Sequence, residues 1–130
     1  MTFTKNQKNK LILVAEDNKI NQLVITAHLK KLGYTCYVVD DGNQALEFIM
    51  RDDELPLLIF MDCQMPHMDG LEATRRIRTF LAGRPMPIIA ITAHAFFAER
   101  ERCLAAGMDE YLTKPIFQQD LRDVLKLYVG

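Results

Sequence analysis

Leu11-Ile12-Leu13-Val14-Ala15-Glu16-Asp17 is a run of five apolar residues that ends on two carboxylates. A second run of the same build, Leu57-Leu58-Ile59-Phe60-Met61, ends on Asp62. Unbroken apolar runs of this length read as strands buried on both faces, the kind found in a parallel sheet covered by helices. In such a sheet, side chains at the carboxyl ends of the strands reach into the crevice where open α/β folds take ligands. If the two runs are neighbours, Glu16, Asp17 and Asp62 converge there. Like charges about 4 Å apart repel by roughly 4 kcal/mol at an effective dielectric near 20, so the cluster calls for a cation. All-oxygen donors suit a hard ion such as Mg²⁺, which takes one or two carboxylates and shares its shell with water and phosphate oxygens. Taken singly, the acids also have a structural reading: Asp17 or Asn18 caps the next helix, and Asp62 ends a strand.

Outward from these runs, five short apolar segments alternate with five stretches of helical pattern. Ile20, Leu23, Val24 and Ala27 fall at i, i+3, i+4 and i+7 and give the first helix one apolar face, with Gly33 as its stop. Tyr34 to Val39, aromatic and β-branched, is a second strand, and Asp40-Asp41-Gly42 turns into a helix with Leu46, Ile49 and Met50 on one side. Leu57 to Met61 is the third strand. Beyond the loop Pro66 to Gly70, a helix from Leu71 to about Leu81 aligns Ala73, Ile77, Phe80 and Leu81, with Arg75, Arg76 and Arg78 on its wet side. Ile88 to Thr92 is the fourth strand. Ala95 to Ala106 is a weakly amphipathic helix, a candidate mobile element, stopped by Gly107. Tyr111 and Leu112 make a short fifth strand closed by Lys114-Pro115, and Phe117, Leu121, Val124, Leu125 and Tyr128 line one side of the last helix. The alternation implies an α/β, doubly wound parallel sheet with helices on both faces.

A chain of 130 residues has room for one domain. Met1 to Lys10, polar and lysine-rich without periodicity, reads as a flexible arm or linker, leaving residues 11–130 for the fold. A formal charge of −1 and the lack of a basic stripe give no support for nucleic-acid binding. The apolar stretches are too short for a membrane span or a signal peptide, so a soluble, cytoplasmic domain is expected. Cys36, Cys63 and Cys103 are odd in number and lack ligand-like spacing with His28, His67 or His94, and so read as reduced thiols. Cys63 should alternate to the face opposite Asp62 and pack there. Phe96 and Phe97, adjacent on a helix, cannot both face a core.

Thr92 and Lys114 also end their runs, so every strand except the second places a polar group on the same rim. Carboxylates for a divalent ion, a hydroxyl and an ammonium are the parts needed to transfer a phosphoryl group. Cations neutralise charge on the equatorial oxygens, and one carboxylate can act as nucleophile.

Five ordered segments, Ala15-Glu16-Asp17-Asn18, Met61-Asp62-Cys63-Gln64-Met65-Pro66, Met68-Asp69-Gly70, Thr92-Ala93-His94 and Tyr111-Leu112-Thr113-Lys114-Pro115, resemble the receiver domains of two-component response regulators. The similarity runs from about Leu11 to Tyr128, and the wording of Met61 to Gly70 and Ala106 to Pro115 is similar to receivers of hybrid sensor histidine kinases. The resemblance implies a flavodoxin-like sheet in the order 2-1-3-4-5 with five helices, which makes the first and third strands neighbours. It implies that Asp62 accepts a phosphoryl group from a phosphohistidine, with Lys114 pairing first with the acceptor and then with the phosphoryl oxygens. Asp17 would ligate Mg²⁺ directly, Glu16 through water, and the Gln64 carbonyl would be a third protein ligand beside Asp62. The Lys114–Pro115 bond would be cis. Thr92 and Tyr111 would form the switch: the hydroxyl moves to the phosphoryl group and Tyr111 turns inward, repacking the face of the fourth helix, fifth strand and fifth helix. Gln64 and His94, near the path of the hydrolytic water in receivers, would tune the lifetime of the phosphate.

The implied partner is a histidine kinase or a histidine phosphotransfer domain, docking near the first helix, with fused kinase domains in a parent protein as one arrangement. Such a domain catalyses its own phosphorylation and slow autodephosphorylation without turning over a dedicated substrate. Two other readings compete. A Mg²⁺-dependent phosphohydrolase of the haloacid dehalogenase kind also uses an aspartyl phosphate, but commonly carries a second acid where this chain has Gln64. A pseudo-receiver would only bind partners, yet Glu16, Asp17, Asp62, Thr92 and Lys114 are all in place.

Overall fold

Every residue of the first strand, β1 (Leu11–Ala15), is buried, as is every residue of β3 (Leu58–Asp62) and β4 (Ile88–Thr92). Such strands need helices on both sides. The computed structural model, which describes residues 3–51, 55–94 and 96–130, supplies them. After β1 come α1 (Lys19–Lys31), β2 (Thr35–Val39) and α2 (Gly42–Arg51); β3 is followed by α3 (Gly70–Leu81), β4 by α4 (Phe97–Ala106), and β5 (Glu110–Thr113) by α5 (Gln118–Tyr128). The five strands are parallel in the order β2-β1-β3-β4-β5, the flavodoxin-like arrangement. No helix among the described residues is long and apolar enough to cross a membrane.

Strand alternation splits the core into two layers. Leu13, Ala15, Ile59, Met61, Ile88 and Ala90 face Ala45 and Ile49 of α2 and Ala73, Ile77 and Leu81 of α3. Ile12, Val14, Leu58, Phe60, Ile89 and Ile91 face Ile25 and Leu29 of α1 and Leu121, Val124 and Leu125 of α5.

Several elements differ from the sequence expectation: Met50 of α2 and Phe80 of α3, expected on the inner faces of their helices, are 53% and 39% exposed. The apolar face of α1 points outward: Ile20 is 71% exposed, Leu23 69% and Val24 41%. The buried side is Gln22, Ile25 and Leu29, and the polar Gln22 at a core-facing position hid that stripe from an apolar count. Phe117, expected to share the inner side of α5, stands exposed as its N-cap. Within the expected arm, Lys5–Lys8 forms one helical turn whose Thr4 and Gln7 close a capping box, while Phe3 sits edge-on to Tyr37 of β2. Residues 1–2 of that arm, and Ala95, the expected start of the fourth helix, lie outside the described residues.

Candidate active site

Register brings the acids together. Ala15 pairs with Met61, so the residues that follow, Glu16 and Asp62, emerge at the same level from adjacent strands. Glu16 is fully buried and Asp62 is 3% exposed, while Asp17 is open to solvent. One oxygen from each of the three lies within 4.8 Å of the others. The structural alternative for Asp17 falls to its neighbour: Asn18 is the N-cap of α1, its side chain accepting from Asn21 N at 3.0 Å, which leaves Asp17 to the crevice.

Lys114, at the end of β5, reaches over β4 to the acids. Its Nζ lies 2.9 Å from Asp62 Oδ2 and 2.9 Å from Glu16 Oε1. Its backbone N–H donates to Thr92 O at 2.8 Å, and the Lys114–Pro115 bond is cis. Gln64 N donates to Asp62 Oδ1 at 3.0 Å, and Asn18 N donates to Glu16 Oε2 at 3.1 Å. Glu16 Oε1, though near the ammonium, accepts no well-aligned hydrogen bond.

The electrostatics are those of a site short of positive charge. Burial, then the Asp62 carboxylate beside it, pushes the Glu16 carboxyl above the usual range. Burial and Glu16 do the same to Asp17. Burial alone would lower Lys114, but its bonds to Asp62 and Glu16 outweigh it and hold the ammonium charged. Three carboxylates against one ammonium leave a formal charge of −2. An all-oxygen donor set within 4.8 Å that carries this net negative charge fits a hard divalent cation.

Thr92 ends β4 at 3% exposure, and its Oγ1 accepts from His94 N at 3.1 Å. Tyr111 is half-buried, with the Arg100 guanidinium of α4 5.4 Å from its ring centroid. Gln64 and His94 are exposed on the rim, and the His94 ring stacks with Phe96 at 5.9 Å. Phe96 and Phe97 are 69% and 76% exposed, so both point away from the core. Cys63 turns away from Asp62 into the packing as expected, and its Sγ lies 3.4 Å from that of Cys103 on α4, both as free thiols.

The sequence profile of the response regulator receiver domain matches residues 12–126, which span all five strands. The chain belongs to that family. This receiver is 43% identical over 123 residues to a hybrid signal transduction histidine kinase of Dictyostelium discoideum, a match covering 91% of the chain but 7% of that protein. Among solved structures it is similar to the receiver domain of a sensor histidine kinase from Pseudomonas aeruginosa with a magnesium ion in the active site cleft. That pair shares 45% identity with a TM-score of 0.84, over 93% of this chain and 98% of the other. It is also similar to a Saccharomyces cerevisiae response-regulator receiver co-crystallised with its histidine phosphotransfer protein, at 30% identity and a TM-score of 0.83, over 91% and 87% of the two chains. What set this receiver apart from a generic parallel α/β sheet is the rim of Glu16, Asp17, Asp62, Thr92 and Lys114, all legible as strand-end residues. Gln22, whose amide bonds the Glu16 carbonyl and Asp40, gave no such signal because it lies inside a helix.

Proposed function

We propose that this receiver, residues 11–130, takes a phosphoryl group from a phosphohistidine onto Asp62 with Mg²⁺ and passes the signal through α4, β5 and α5. The observation that carries this reading is the convergence of three carboxylates with Lys114 2.9 Å from the acceptor. Glu16, Asp17, Asp62 and the Gln64 carbonyl would hold Mg²⁺, which when bound supplies charge neutralisation to the phosphoryl oxygens. An Asp62 carboxylate oxygen attacks phosphorus as the P–N bond to the donor imidazole breaks, and the imidazole leaves with that electron pair. Lys114 already touches the nucleophile and follows the charge onto the transferred group. The acyl phosphate adds about two negative charges and three acceptors. Thr92, buried beside it, donates its hydroxyl to one of these, and Tyr111 moves inward from its half-buried place under Arg100. Gln64 and His94, on the open rim, set how readily water reaches the phosphate. Single changes there are expected to alter the autodephosphorylation rate.

The outward apolar face of α1, beside the acceptor rim, is the docking surface for the histidine donor, a histidine kinase or a histidine phosphotransfer domain; a partner of the second kind is supported by the co-crystallised yeast receiver. Phe117 extends it: the next residue, Gln118, meets His28 of α1 at 3.3 Å. Fused kinase domains are the first donors to test, given the hybrid kinase among the relatives. A cytoplasmic setting fits free Cys63 and Cys103, which stay reduced there. Leu23→Asp combined with Ile20→Asp is expected to weaken transfer from phosphohistidine by about 30-fold or more through KM, as loss of anchoring contacts does. Labelling by acetyl phosphate should be unchanged in the same variant.

Incubation with acetyl phosphate tests the assignment. One phosphoryl group per chain, dependent on Mg²⁺, supports the receiver reading, whereas sustained hydrolysis of simple phosphate esters would favour the phosphohydrolase, and no labelling the pseudo-receiver. Thermal melting gives a second check. Mg²⁺ at about 100 times its Kd is expected to stabilise the fold by about 2.7 kcal/mol, and the gain should vanish in Asp17→Asn.

A further inference from the structure

We infer that Gln22 is a positioning residue for the metal-binding loop, an inference that rests on the Mg²⁺ reading above. Gln22 lies on the inner side of α1 at 9% exposure, an unusual place for an amide. Its Nε2 donates to two groups at once, the backbone carbonyl of Glu16 and, at 2.8 Å, Asp40 Oδ1. Both partners only accept, so the orientation of the amide is forced. Asp40, just past β2, also takes Lys19 Nζ at 2.9 Å, and the bonds from Lys19 and Gln22 hold its carboxyl below the usual range. At the other end of the same residue, Glu16 N donates to Val39 O at 3.1 Å.

Glu16 is therefore gripped at both its N–H and its C=O, by β2 and by Gln22. The need is physical. Glu16, Asp17 and Asp62 lie close enough to repel one another, and Asp17 sits on the open, exposed side of the cluster. A loop tethered only at β1 would relieve that repulsion by swinging Asp17 outward. Gln22 touches none of the three carboxylates in the crevice, so its effect passes through the carbonyl it holds. Asp40 and Lys19 complete the clamp by fixing the far side of the amide.

Calorimetric titration of Mg²⁺ into wild type, Gln22→Glu, Gln22→Met and Gln22→Arg tests this, alongside melting of each in EDTA. Glu and Met keep the side chain's length but lose the donor, and both are expected to weaken Mg²⁺ by about tenfold, the lower end for groups that orient metal ligands. Arg restores donors to both acceptors and should return the affinity to within about twofold of wild type. At saturating Mg²⁺ the acetyl phosphate labelling rate of the Met variant should recover. Unchanged affinity in Gln22→Met and Gln22→Glu, with or without a lower melting temperature, would overturn the inference. A wild-type chain that takes up no Mg²⁺ would instead overturn the metal reading beneath it.

Discussion

Asp62→Ala is expected to reduce labelling by acetyl phosphate to the level of the Mg²⁺-free control while leaving the chain folded. The first half follows from position. Asp62 meets the Lys114 ammonium through one oxygen and the Gln64 N–H through the other, and it sits at the end of a strand buried throughout its length. Glu16 cannot replace it as nucleophile. It is fully buried, with none of its surface open to an incoming phosphoryl group.

The second half runs against a common cost. Removing one member of a buried ion pair usually destabilises by about 3–5 kcal/mol, because the partner is left charged and alone. Lys114 is not left alone: it keeps Glu16 at 2.9 Å, and the cluster sheds one of its mutually repelling charges. Metal-free Asp62→Ala should therefore melt within about 1 kcal/mol of wild type, since relief of like-charge repulsion offsets the lost pair. Intact-mass measurement after acetyl phosphate treatment, with melting in EDTA on the same sample, checks both halves. Phosphoryl gain that persists in Asp62→Ala would place the acceptor elsewhere. Lys114→Met retains the nucleophile but loses the donor at the developing charge, and should slow labelling by about 10²–10³-fold.

The chemistry was legible because it sits where pattern changes. Glu16, Asp62, Thr92 and Lys114 each stop an apolar run, and a strand's end is visible in one dimension. The order of the strands was not: periodicity implied a parallel sheet, while the neighbouring of β1 and β3 came from the resemblance of ordered motifs. The two faces of α1 show the limit most clearly. An apolar stripe at helical spacing says that a face avoids water but not whether the core or a partner covers it, and here Ile20, Leu23 and Val24 are the outward set. Ile25 and Leu29 anchor the helix with half as conspicuous a pattern, since Gln22 completes their stripe. The choice between Asp17 and Asn18 as helix cap was likewise a matter of one residue, settled by the Asn18 side chain accepting from Asn21 N. The Cys63–Cys103 contact joins residues 40 apart and leaves no trace in local spacing.

Gly70→Ala is expected to be the most damaging single methyl added to this receiver, because of what Gly70 stands against. It opens α3 just after the β3–α3 loop, its N–H donates to Cys63 O at 3.2 Å, and a Cβ built on it would lie 2.0 Å from Asp62 O and 2.9 Å from Asp62 C. Both atoms belong to the backbone of Asp62, the proposed phosphoacceptor, which is fixed in the sheet and cannot yield as a flexible side chain would. Either α3 withdraws, opening the layer built on Ala73, Ile77 and Leu81, or the end of β3 moves and carries Asp62 away from Lys114. Overpacking of this kind costs typically 1–3 kcal/mol, and with rigid backbone on both sides about 3 kcal/mol or more is expected, a fall in Tm on the order of 10 °C. The folded fraction should also label more slowly, since a shift of about 1 Å at a reacting group can cost about 10²-fold. Gly83→Ala isolates the crowding. Gly83 has φ +92° with nothing within 4 Å of its Cβ position, so that change should cost only about 1 kcal/mol of backbone strain and leave labelling intact. Denaturant unfolding and labelling rates on the two variants decide the matter: a Gly70→Ala chain as stable as Gly83→Ala and equally quick to label would mean that the backbone at the end of β3 is free to yield, and that the site does not depend on the close approach of α3.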